Sequence, residues 1–172
     1  MKFPANNETV IMTRRYPSLL GNVLRRDDKI ARKLILAWDV EKNKEKVLTI
    51  FLKEKSGLPD ERYWELLRSV WIISGSLKNV DVFKKLMQSK RPKRYYFSTP
   101  EDAKNLRELP GRFIVFRAGS DDDNGISWTT SKEYAEFYQK EYKKEKVLTR
   151  EINKSEVFAY IQRNREFEII II

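Results

Sequence analysis

Apolar positions recur at helical spacing as far as Leu109 and at strand spacing beyond it, so the chain reads as helices followed by sheet. A strand-like patch, Thr9-Val10-Ile11-Met12, comes first. Leu20, Val23 and Leu24, then Ile30, Leu34, Ile35 and Trp38, predict helix between Ser18 and Trp38. Val47, Leu48, Phe51 and Leu52 predict a second between Glu41 and Lys55, closed by Gly57 and Pro59. Asp60 is placed to cap a third through Ile73, with Tyr63, Leu66, Leu67, Val70 and Trp71 inward. Asn79 is placed to cap a fourth to about Gln88, burying Val82, Phe83 and Leu86. Thr99 and Pro100, with Glu101 and Asp102 in the first turn, start a short helix that Pro110-Gly111 ends.

Past that point five short segments alternate or run apolar. Arg112 to Ala118 alternates as a strand, with a cation, Arg117, near its end and Gly119 after it. Ser120 to Gly125 is an acidic loop without the spacing of a calcium loop, which would need an acid at Ser120 and a glutamate at Ser131. Gly125 to Thr130 is a hydroxyl-rich strand, and Ser131 caps a helix from Lys132 to about Lys143 carrying Tyr134, Ala135, Phe137 and Tyr138. Lys146 to Ile152 and the terminal isoleucine run are further strands, and Val157 to Ile161 is a fourth candidate or a turn-flanked extended piece. In that last strand Glu166 and Glu168, two apart, project to one face with Phe167 behind them. The bland alternative makes them charges on a solvated edge strand.

Composition narrows the chemistry. The 172 residues contain no cysteine and no histidine, which excludes disulfides, thiolate or ordinary zinc sites and histidine-based triads. Any catalysis falls to carboxylates, hydroxyls, Lys, Arg or Tyr. No apolar run is long enough to span a bilayer and no leader is recognisable, so an intracellular, cytoplasmic protein without membrane contact is expected. The net charge of +10 is uneven: 24 Lys and Arg face 14 Asp and Glu through Leu109, and 11 face 11 from Pro110 onward. Such asymmetry suits nucleic acid or an acidic protein at the helical half, or a lysine-rich solubilising surface. The knot Lys90-Arg91-Pro92-Lys93-Arg94-Tyr95-Tyr96-Phe97 has the composition of a nucleic-acid contact, or of a basic turn leading into a strand at Tyr95 to Ser98.

Taken in order, a strand ending in Arg-x-Gly, a hydroxyl strand followed by a helix, and Glu-x-Glu before an aliphatic strand form a pattern. Over about residues 112–172 it resembles the mono-ADP-ribosyltransferases of the Arg-Ser-Glu class, of bacterial-toxin and bacteriophage type. Periodicity and charge give a mostly helical, basic region over 1–109, and the resemblance implies a compact mixed-sheet core over 110–172, together an α+β fold. It implies NAD as substrate. Arg117 would grip the diphosphate and ribose, with the backbone of Ala118 and Gly119 holding the nicotinamide amide. Ser127, with Trp128 and Thr129, would match the family's hydroxyl motif and orient Glu168, the catalytic acid. Glu166 would position and deprotonate an acceptor guanidinium, making a target protein's arginine the expected acceptor. The ring stacked on nicotinamide would be Trp128, Phe137 or Tyr138. The alternatives are an NAD glycohydrolase, with water as acceptor, and a non-catalytic binder working through the basic half.

Overall fold

The computed structural model describes residues 29–163 and 166–172. The patch at Thr9 and most of the helix expected from Ser18 lie outside them. The chain divides into two compact units, Met1–Gly75 with Lys90–Phe97 and Ser76–Ser89 with Ser98–Ile172.

The first unit is helical. Helix α1 (Lys29–Ile35) runs into a π-helical turn at Leu36–Val40, followed by α2 (Lys44–Glu54) and α3 (Asp60–Ser74). Asn43 caps α2 by accepting from the Lys46 amide, while α3 starts after Pro59, with Asp60 as its first residue rather than its cap. Val47, Phe51, Trp64, Leu66, Leu67 and Val70 are fully buried, so both stripes face inward as their spacing requires. The basic knot belongs to this unit and is a 3-10 turn, Arg94–Phe97, not a strand. Arg91 explains why. Its guanidinium donates to the Lys55 and Leu58 carbonyls and stacks 4.7 Å from the Tyr63 ring centre, while the Trp64 indole donates to the Pro92 carbonyl. Arg91 and the Pro92 carbonyl thus tie the knot to α3 and to the turn before it.

The second unit contains the sheet. Helix α4 (Val80–Met87) and α5 (Pro100–Glu108) precede β1 (Arg112–Gly119), β2 (Ser127–Thr129), α6 (Lys132–Glu141), β3 (Lys146–Asn153), β4 (Val157–Arg163) and β5 (Glu166–Ile171). The α+β class is thus observed, with strand order β3-β1-β2-β5-β4. Every pairing is antiparallel, where the resemblance implies a mixed sheet. Between β4 and β5 the link is too short for the crossover that a parallel pair needs.

The alternation of the strands gives the sheet two different faces. One carries Val115, Ile152, Tyr160, Ile169 and Ile171, against which Leu106 and Leu109 from the end of α5 pack. On the other lie Thr129, Glu168 and Ile170, under α6. Helix α5 opens with a capping box between Thr99 and Asp102, and Asp102 also accepts from the Gln162 amide of β4 at 2.9 Å. Pro110-Gly111 therefore does not divide helical region from core: α4 and α5 belong to the sheet unit.

Candidate active site

Strand β5 lies between β2 and β4, so Glu166 and Glu168 are not on an edge strand. The strand owes its place to its apolar end: Ile169 and Ile170 are fully buried on opposite faces. Only an interior strand buries both sides in this way. Alternation then sets Glu166, Glu168 and Ile170 on one face and Phe167, Ile169 and Ile171 on the other.

The register fixes what meets the two acids. Thr129 on β2 and Ile161 on β4 lie opposite Glu168, and Arg163 lies opposite Glu166. Ser127 is diagonal to Glu168 on the same face, and its Oγ donates to Glu168 Oε1 at 2.6 Å. Arg163 Nη2 donates to the other carboxylate oxygen at 3.3 Å, and Arg163 Nε lies 3.1 Å from Glu166 Oε2. Glu168 is 1% exposed, so this hydroxyl and this guanidinium stand in for the water it has lost. One arginine thus spans both acids.

Helix α6 covers the site. Ser131 caps it by accepting from the Tyr134 amide, and Tyr134 then hydrogen-bonds Glu166. Burial pushes the Glu166 carboxyl above its ordinary value, and the charge of Glu168 adds to the rise against the opposing pull of Arg163 and Tyr134. Burial, with the charge of Glu166, pushes the Tyr134 phenol up to about 12. A carboxylate whose pKa is raised is a better base near neutrality than an ordinary surface glutamate.

Arg117 is elsewhere. Phe116 pairs with Thr129, so Phe116 shares the face of Glu168 and Arg117 points to the opposite one. There its guanidinium lies 4.9 Å from the Trp128 ring centre and forms an ion pair with Asp123. Asp123 also accepts from the amides of Ser120 and Gly125 at 3.1 Å each, which closes the acidic loop around the arginine. A Cβ at Gly125 would overlap Arg117 Nη1, so glycine is what leaves room for the side chain. Arg117 Nε is buried without a hydrogen-bond partner. This face opens into a cavity of about 750 Å³ lined by Arg117, Trp128, Asn124, Leu148 and Arg150 among others. Neither glutamate nor Ser127 lines it.

Of the residues singled out from sequence, the fold therefore gathers Ser127, Thr129, Glu166 and Glu168 on one face and leaves Arg117 and Trp128 on the other. That geometry contradicts a grip by Arg117 on a ligand held at Glu168 in this conformation, because the sheet stands between them. Ala118 and Gly119 end β1, paired with Val147 and Lys146 of β3. Phe137 is 58% exposed on α6, beside Tyr134. The residue that sequence reasoning missed is Arg163. Expecting β4 to stop at Ile161 left it out; the strand runs on to Arg163, which pairs with Glu166.

No described helix is long and apolar enough to cross a membrane. Comparison with protein-family models, with curated proteins and with solved structures finds no match to this chain.

Proposed function

We propose that the chain is an NAD-dependent mono-ADP-ribosyltransferase, a glycosyltransferase that moves ADP-ribose from NAD to a target protein's arginine. The observation that carries this reading is the 2.6 Å hydrogen bond from Ser127 to Glu168, with Glu166 two residues away on the same face. Cleaving the bond between nicotinamide and ribose develops positive charge on the sugar. A carboxylate fixed in place before the reaction strengthens its interaction with that charge as it forms. Ser127 does the fixing and Glu168 supplies the charge. Glu166, with its raised pKa, takes the proton from the incoming guanidinium. For the ribose to reach Glu168 Oε2, Arg163 must give up its hydrogen bond there.

The basic residues before Pro110 suit an acidic target surface or nucleic acid, and their charge is the part of the molecule that would choose the partner. Incubation with labelled NAD and a cell lysate tests the transfer. Wild type is expected to label a macromolecule, and Glu166→Ala to lose transfer while keeping more of its NAD hydrolysis. Equal loss of both by Glu166→Ala removes the acceptor role. Nicotinamide release with no labelled macromolecule makes the protein an NAD glycohydrolase instead.

A second reading has its own observation. Glu168 is buried with both carboxylate oxygens already bonded, as in a polar staple between β2, β5 and β4. In that case the chain is a non-catalytic binder. Salt-sensitive binding to nucleic acid, unchanged by Glu168→Ala and without NAD turnover, favours it.

A further inference from the structure

The guanidinium of Arg163 sits where the proposed reaction needs its acceptor. Glu166 is the carboxylate assigned to hold and deprotonate an arginine, and Arg163 Nε is 3.1 Å from it. Glu168 is the carboxylate assigned to the ribose, and Arg163 Nη2 is 3.3 Å from it. Once the ribose takes the place of Nη2 at Glu168, Arg163 still lies against Glu166 through Nε, the place assigned to an acceptor guanidinium. The side chain is 36% exposed, so it is not locked inside the core. Strand β4 holds it there through the pairing of Arg163 with Glu166, which removes most of the entropic cost of bringing acceptor and acid together.

We propose that Arg163 is itself an acceptor, so that the protein ADP-ribosylates its own Arg163 within the same chain. This rests on the transferase reading above. In the step, the bond between nicotinamide nitrogen and ribose C1′ breaks, and its electron pair returns to the ring, which leaves as neutral nicotinamide. Glu166 takes a proton from the guanidinium at Nε, 3.1 Å away, and passes it to water, and Nη2 of the resulting neutral guanidine bonds to C1′. The modified guanidinium keeps its positive charge, and atoms and charge balance without another reactant. The attached group stays on the guanidinium that lies against Glu166. Self-modification therefore ends after one event and blocks the site to other acceptors.

Purified wild-type chain is incubated with NAD and no target, and the modified peptide is located by fragmentation mass spectrometry. The expected result is one ADP-ribosyl group, on Arg163, formed with a first-order rate that does not change when the protein is diluted. Arg163→Lys keeps a cation opposite the two acids and removes the guanidinium. It is expected to lose self-labelling, and a label that persists on the chain at the wild-type rate overturns the assignment to Arg163. Mapping on the wild type needs no variant to fold. Lysate labelling or nicotinamide release with Arg163 unmodified overturns the inference and leaves the transferase reading standing. A rate proportional to protein concentration overturns the same-chain step. Neither nicotinamide release nor any label overturns both readings together.

Discussion

At the scale of single residues, the acid pair is organised by two partners of different kinds. Ser127 is a neutral donor at 2.6 Å to a carboxylate with no access to water. Removing it takes away a hydrogen bond to a charged, buried group, so Ser127→Ala is expected to lower stability by about 1.5–3 kcal/mol in urea unfolding. A loss no larger than that of a surface serine would mean that Glu168 has another donor in reserve. Glu166 gives a test in pH. Its folded value is raised above the ordinary 4.5, so the fold holds its proton more tightly than the unfolded chain does. The stability it contributes is full below 4.5 and is lost as pH rises through the folded value. The groups facing it are Arg163, Glu168, Tyr134 and Tyr138. Thermal unfolding of wild type and Glu166→Gln across that window should therefore show wild type losing ground as pH rises, and a constant difference would contradict the assigned burial. That Glu166 and Glu168 share a face was legible from strand alternation, whereas Ser127 was singled out only through the family resemblance. The side of the sheet taken by Arg117 was not. It depends on β1 pairing Phe116 with Thr129, a long-range register that no local pattern encodes.

At the scale of elements, β5 and α6 hold the site between them. Ile169 is fully buried in the cluster with Val115, Ile152 and Tyr160, so Ile169→Ala is expected to cost about 2–5 kcal/mol and to loosen the strand that carries Glu168. Ser131→Ala should cost about 1 kcal/mol through the lost cap of α6. Because that cap sets the start of the helix bearing Tyr134, its loss should also weaken NAD turnover, and unchanged turnover would show that α6 does not shape the acid face. Both elements were readable in the sequence: four isoleucines gave the strand, and Ser131 with Glu133 gave the helix start. The knot at Tyr95 was not, since its aromatics suit a strand. What turns it into a 3-10 segment is Arg91 bonding to carbonyls more than thirty residues earlier in the chain.

At the scale of the whole molecule, the chain leaves the first unit at Gly75, returns to it for Lys90–Phe97, and leaves again. The change of periodicity at Pro110-Gly111 marks where strands begin, and compactness follows a different line. A fragment beginning at Pro110 discards Asp102, Leu106 and Leu109, which cover the buried face of the sheet. It is expected to melt without cooperativity, whereas a fragment beginning at Ser98 keeps α5 and should melt more sharply. Equal melting of the two would place α5 outside the core. The charge asymmetry was fully legible, being a property of composition, but composition names no partner.

The central claim is that Glu168, held by Ser127, is where NAD reacts, and nicotinamide release from NAD by wild type and Glu168→Gln tests it most directly. The substitution keeps the shape and the ability to accept from Ser127 while removing the charge. Steady release by wild type and a fall of at least about a hundredfold in the variant are expected, as for loss of a principal electrostatic stabiliser. Equal release by the two proteins, with both folded, would contradict that claim.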